Sequence, residues 1–211
     1  MVAAPKSPAV ESTRSALIEA AKTLFAARGL DGVSVKEIAD EAQVNVSLVS
    51  YHFGGKEGLY KAVLDQQGQV KLEAAERILK SASTPEEFAL RLRMFADEMI
   101  SGWAQDPCVM TILQRDVELN ISATIEVFKE RFLRVFDTVH AFLASSAKAG
   151  LLRKDVDPET ATGLLFGMVA HSTRMDPLVQ KFFKKTLKDS HYRDHVVNQI
   201  VGLFTRGVLK E

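Results

Sequence analysis

The sequence predicts an all-α protein, and three observations carry that prediction. Apolar residues recur at helical spacing along nearly the whole chain, and no stretch alternates as a strand would. Helix starts are marked by their capping chemistry. Ser34-Val-Lys-Glu37 is a capping box, and Thr84-Pro, Asp106-Pro, Asp157-Pro and Asp176-Pro each set a polar cap before a proline at the first helical position. Gly29 and Gly150 stand where helices should stop.

In chain order, residues 1–11 (MVAAPKSPAVE) lack an apolar core and a cleavage site, so they read as a disordered tail. Helices are expected over 12–28, 34–42, 45–52 and 56–80, then over 85–104, 107–119, 122–148 and 158–175. A further helix over 177–188 would follow the Asp176-Pro signal, and a last one spans 192–209. The first three helices form one small domain, residues 12–58, and residues 59–211 form a larger helical bundle.

Bulk chemistry excludes several classes. Charges balance at 27 basic and 27 acidic side chains, so no general field pulls the chain toward nucleic acid or membrane. One cysteine, Cys108, forbids an internal disulfide and suits a reducing compartment. The longest run of apolar residues and glycine, Gly163–Ala170, falls far short of the ~20 residues needed to span a bilayer. A cytoplasmic protein is expected. No cofactor motif and no catalytic or metal constellation stands out, so an enzyme is not expected. His191 and His195 are four apart and could share a metal, but they fit a solvated helix start better.

The stretch Val44–Tyr60 (VNVSLVSYHFGGKEGLY) is the informative one. It fails as a phosphate-binding P-loop, because Ser50 and Glu57 occupy the places of the required glycine and hydroxyl. It fails as a metal site, because His52 has no ligand partner one turn away. It fits a helix-turn-helix: helix Ser34–Ala42, a tight turn Gln43-Val44-Asn45, and a short second helix capped by Asn45. In that motif the second helix enters the major groove, and helix N-termini and nearby lysines grip phosphate. Gly55-Lys56 reads as a second phosphate clamp.

Three pieces carry a family resemblance: Ala20-Ala-Lys-Thr-Leu-Phe-Ala-Ala-Arg-Gly29, Ser34-Val-Lys-Glu-Ile-Ala39 and Tyr51-His-Phe-Gly-Gly-Lys-Glu-Gly-Leu59. In order and spacing, residues 12–60 resemble the N-terminal domain of the TetR family of bacterial transcription regulators, and the GGKEGLY ending resembles a branch that includes regulators of multidrug-transport genes. The resemblance implies phosphate contacts from Ser34, Lys36, Ser47, Tyr51, His52 and Lys56, and base-edge contacts from Val46, Leu48 and Gln43. Two departures stand out. Gln43 replaces the usual turn glycine, and Ser50 replaces a usual tyrosine, so one usual backbone contact is either absent or supplied by Tyr51. The second helix has no arginine, so thymine methyls and DNA shape are the expected readout.

Beyond about residue 80 the residues speak alone. Over 125–146, a helical projection gathers Ile125, Phe128, Phe132, Val135, Phe136, Val139, Phe142 and Leu143 on one wide face. That face is either core or the wall of an effector chamber, which is where TetR-like regulators hold theirs. Asp116 falls inside the apolar face of Val109, Ile112, Leu113 and Val117. It is either paired by Arg115 or Arg131, or it joins His140 as a polar anchor in a pocket with Met99, Trp103 and Met110. Helix 158–175 is apolar almost all round, with Gly163, Gly167 and Ala170 on one strip. Together with Arg174 and with Val197, Ile200 and Phe204 of the last helix, that strip is expected to form a four-helix homodimer seam. The resemblance then implies a ligand-responsive repressor on a near-palindromic double-stranded operator.

Overall fold

The computed structural model describes residues 8–119 and 122–210. They form ten α-helices: α1 (Pro8–Arg28), α2 (Val35–Glu41), α3 (Ser47–Phe53), α4 (Lys56–Ile78), α5 (Pro85–Gln105), α6 (Cys108–Glu118), α7 (Ser122–Val127), α8 (Leu133–Lys148), α9 (Pro158–Phe183) and α10 (Ser190–Val208). A π-helical turn, Phe128–Phe132, joins α7 to α8. Among the described residues there is no strand, only an isolated antiparallel bridge between Leu152 and Leu209. No helix is long and apolar enough to cross a membrane among them.

Most starts follow the capping chemistry. Thr84 is extended and accepts from the Glu87 amide, and Asp157 accepts from the Thr160 amide at 2.8 Å. Four expectations need correction. The tail was expected to reach residue 11, yet α1 already begins at Pro8; residues 1–7 lie outside the described part. The single helix over 122–148 is interrupted by the π turn, whose extra residue breaks the projected stripe. Val135, Val139, Phe142 and Leu143 are buried, whereas Phe128, Phe132 and Phe136 are only partly so. The break at Asp176-Pro is absent, and α9 continues through Pro177. Asp176 finds its partners further on, accepting from the Leu187 amide at 2.7 Å and the Thr186 hydroxyl at 2.9 Å, so it fastens a loop and starts no helix. Finally, α10 begins at Ser190, because Asp189 caps it through the Tyr192 amide at 2.8 Å.

The chain packs as two compact units. One comprises the chain to Gln69 with Cys108–Lys129. Its core holds Leu17, Phe25, Ile38, Val49 and Tyr60, all fully buried. The Tyr60 ring meets Phe25 edge-on at 4.8 Å, and its hydroxyl is buried with no hydrogen-bond partner among the described residues. An unmet buried hydroxyl costs stability. Tyr60→Phe is therefore expected to raise stability by about 1 kcal/mol, read as a higher melting temperature. A lower one would mean that the hydroxyl is satisfied.

The second unit comprises Val70–Pro107 with Glu130–Glu211. Its core joins α5, α8, α9 and α10 around Phe88, Phe95, Phe142, Leu165, Val197 and Phe204. Phe88 stacks on Phe142 with ring centres 5.1 Å apart.

Candidate nucleic-acid interface

The α2–turn–α3 segment is built by local chemistry. Ser34 is extended, its hydroxyl accepts from the Glu37 amide at 3.2 Å, and the Glu37 carboxylate accepts from the Ser34 amide at 2.8 Å. Ile38 and Ala39 turn α2 into the core. The turn then puts Gln43 in the left-handed region at φ 55°, the conformation glycine takes without cost, while the Val44 amide donates to Ala39 O at 3.0 Å. The turn thus does tolerate a side chain. The N-cap of α3 is Val46, not the expected Asn45, which stands one residue earlier with its side-chain oxygen accepting from the Ser47 amide at 2.9 Å and the Ser47 hydroxyl at 2.8 Å. Gly54, at φ 74°, ends α3. At Gly58 a Cβ would lie 1.8 Å from Phe53 O, so only glycine lets α4 start against the end of α3.

Val49 clamps the inner side of α3, while Val46 is 47% and Tyr51 76% exposed on its outer side. Ser47 and Ser50 are exposed there too, with Leu48 half-buried. The half-buried His52 meets the Tyr51 ring edge-on at 4.9 Å. Lys36 and Gln43 are exposed beside this face. The segment thus shows an aromatic and a valine to solvent while its opposite side is locked.

Three expected phosphate contacts look different in detail. The Ser34 hydroxyl donates to Glu37 Oε2 at 2.7 Å, and the Ser47 hydroxyl donates to Asn45. Both protons are committed, which leaves backbone amides as the donors at these positions. Lys56 Nζ donates to Val33 O at 3.1 Å, tethering the approach to α2 while keeping two N–H bonds to offer.

Glu37 also takes a bond from Arg28 Nη1 at 2.7 Å, a partner the sequence reading missed because it lies nine residues away. The Arg28 guanidinium, then the Ser34 amide and hydroxyl, lower the Glu37 carboxyl from 4.5 to about 2. The folded chain holds this proton less tightly than the unfolded one, so the stabilisation is complete above about pH 4.5 and fades as pH falls toward 2. Melting temperature is expected to fall more steeply across that window in the native protein than in Glu37→Gln. Parallel curves would contradict the assignment.

The candidate effector residues divide between the two units. In the first, Asp116 is fully buried and satisfied internally: Thr124 Oγ1 donates to Oδ2 at 2.8 Å and Arg115 Nε donates to Oδ1 at 3.2 Å. The choice left open for Asp116 falls to internal pairing, with Arg115 as the cation and Thr124 as an unforeseen donor. Burial pushes its carboxyl above the usual range, against the Thr124 bond. Arg115 also donates to Phe25 O at 3.1 Å and Ala26 O at 3.2 Å, so the guanidinium ties α6 to the negative end of α1. Met110 and Phe128 are half-buried in this unit. In the second unit Met99 is buried, while Trp103, Phe132, Phe136 and His140 are half-buried. Phe136 stacks on Phe166 at 5.5 Å. The Thr160 hydroxyl and amide hold the α9 cap, Asp157, below the usual carboxyl range, and His140 adds a smaller pull.

The candidate seam residues also divide. On α9, Gly163, Gly167 and Arg174 are exposed and Ala170 is half-buried, with nothing within 4 Å of a Cβ placed at either glycine. Leu164, 63% exposed, and His171 continue the same face. On α10 the expectation is corrected. Val197, Ile200 and Phe204 are at most 6% exposed because they fill the protomer's own core, so they have no surface left for a partner. The residue α10 offers instead is Leu203, 57% exposed.

A helix pair of this build is a helix-turn-helix, a motif that many DNA-binding proteins use. Residues 17–63 match the family model described as bacterial regulatory proteins, tetR family. The chain is 25% identical over 217 aligned residues to the HTH-type transcriptional regulator RutR of Escherichia coli (strain K12), covering 96% of this chain and 93% of RutR. It is 42% identical over 79 residues to the probable HTH-type transcriptional regulator YttP of Bacillus subtilis (strain 168), covering 36% of this chain and 38% of YttP. In fold it is similar to SmeT of Stenotrophomonas maltophilia in complex with triclosan, with TM-score 0.72 and 20% identity over 94% of this chain and 92% of SmeT. Residues 17–63 are thus similar to the N-terminal domain of the TetR family, and the comparisons support DNA-binding regulation of transcription.

Proposed function

We propose that the chain is a cytoplasmic, homodimeric repressor that reads a near-palindromic operator with α3 and leaves it when a small apolar or aromatic effector binds. The exposed outer face of α3 carries this reading: Val46 and Tyr51 stand in solvent on a helix held from behind by Val49. Val46 and Leu48 would meet thymine methyls, and Gln43 a base edge. Tyr51, His52, Lys36, Lys56 and the Val35 and Ser47 amides would hold phosphate. The exposed α9 face, joined by Leu203, would meet a second copy and set two reading heads about one DNA turn or more apart.

The effector reading rests on Met99, Trp103, Phe132, Phe136 and His140 in the second unit, and on the ligand-bound state of the structurally similar SmeT. An effector acts only through a difference in affinity between DNA-ready and DNA-incompetent arrangements. With Asp116 paired internally, the site has one polar anchor fewer than expected.

Lys56→Ala tests the interface. Binding should weaken evenly across operator variants, and the slope of log affinity against log salt should shrink by about 1. A change confined to which sequence is preferred would remove Lys56 from the phosphate contacts.

A further inference from the structure

Lys71, on α4 in the second unit, is a buried cation that the reading above does not use. It is 7% exposed, far less than a lysine usually is. Nζ donates to the Glu98 backbone oxygen at 3.2 Å, and the Glu98 carboxylate stands 4.0 Å away, at the limit of an ion pair. An ammonium has three N–H donors. Two therefore lack an acceptor among the described residues. Burial pushes its pKa down, and the Glu98 carboxylate only partly offsets this.

The neighbouring helix is shaped around this group. A Cβ on Gly102 would lie 1.9 Å from Nζ and 3.0 Å from Cε, so the ammonium rests directly on the α5 backbone, where any other residue would push it aside. A glycine inside a helix costs about 1 kcal/mol relative to alanine. Burying an under-bonded ammonium costs several times more. Two unfavourable features thus combine to hold one cation inside the bundle. They do so one turn or less along α5 from Met99 and Trp103, the apolar residues of the candidate chamber.

We infer that Lys71 receives the anionic head of the effector, which is therefore an organic acid: a carboxylate or similar group on an apolar or aromatic body. A carboxylate supplies the two acceptors that the ammonium lacks, while the apolar body lies toward Met99 and Trp103. Gly102 is the notch that admits the cation. This inference rests on the proposed effector site and adds the charge of its ligand.

Two dyes that share an aromatic body and differ by one sulfonate separate the outcomes: 1-anilinonaphthalene-8-sulfonate and the neutral N-phenyl-1-naphthylamine. Binding is read as dye emission excited through Trp103, the one tryptophan. In the native protein the sulfonate dye should bind at least tenfold more tightly than in Lys71→Met, while the neutral dye binds both alike. Lys71→Met removes a buried charge, so its melting temperature should hold or rise, which separates lost binding from lost folding. Gly102→Ala, which displaces the ammonium and leaves its charge intact, should weaken the sulfonate dye alone. If the sulfonate dye binds native and Lys71→Met protein equally while the neutral dye also binds, the chamber stands and the anionic anchor falls. If neither dye sensitises to Trp103, the chamber itself falls and takes the anchor with it.

Discussion

Leu164→Glu is expected to turn the protein into a monomer and to lower its operator affinity by about 10²–10⁴-fold, the range lost when two linked binding events become independent. The substitution sits on the exposed α9 face with Gly163 and Gly167, where Leu164 has 63% of its surface in solvent. A carboxylate there costs the isolated protomer little, because surface substitutions generally fall within about 0.5 kcal/mol. In a symmetric interface the two glutamates would be desolvated together, which is strongly unfavourable. Helix content and melting behaviour of the monomer should match those of the native chain extrapolated to low concentration. Ile200→Ala makes the contrast. Ile200 is 6% exposed in the protomer's own core, so its truncation should cost about 2–5 kcal/mol of folding stability with no selective effect on dimerisation. Size-exclusion chromatography with light scattering and DNA titration separates the two. A dimeric Leu164→Glu protein with native affinity would move the seam to another surface.

Asp116→Ala is expected to cost about 2–4 kcal/mol of stability, about 4–16 °C in melting temperature for a chain of this size. The carboxylate is fully buried and joins Thr124 of α7 to Arg115 of α6, which in turn holds the last carbonyls of α1. Its removal strands the Thr124 hydroxyl and loosens the guanidinium at the end of α1. Asp116→Asn keeps the shape and an acceptor, so it should lose clearly less. Thermal unfolding of both variants decides the matter. Equal small losses would show that the α7–α6–α1 chain of bonds contributes little.

The reach of the sequence follows from the range of the interactions involved. The helix-turn-helix was legible because its determinants are local: Ser34 and Glu37 three residues apart, Asn45 and Ser47 two apart, Gly54 and Gly58 at fixed offsets from Phe53. Asp116 was legible as a problem, since a carboxylate on an apolar face demands a partner, but the partner Thr124 lies eight residues on, on another helix. Asp176-Pro carries a helix-start signal in the sequence, and that signal fails because Thr186 and Leu187 claim the carboxylate from ten and eleven residues on. The α10 stripe Val197, Ile200, Phe204 was read correctly as apolar, yet apolarity alone does not say whether the covering surface belongs to the same chain or another. Lys71 and Gly102 gave no sign at all, because their fit depends on how α4 meets α5.

Binding of the purified protein to double-stranded DNA tests the central claim, that α3 reads a duplex groove. An oligonucleotide selected from a random pool should bind far more tightly than its scrambled counterpart at low ionic strength. It should also show two protected half-sites about one helical turn or more apart, and lose affinity linearly in log salt. Equal binding to selected and scrambled duplexes at every salt concentration would contradict the account.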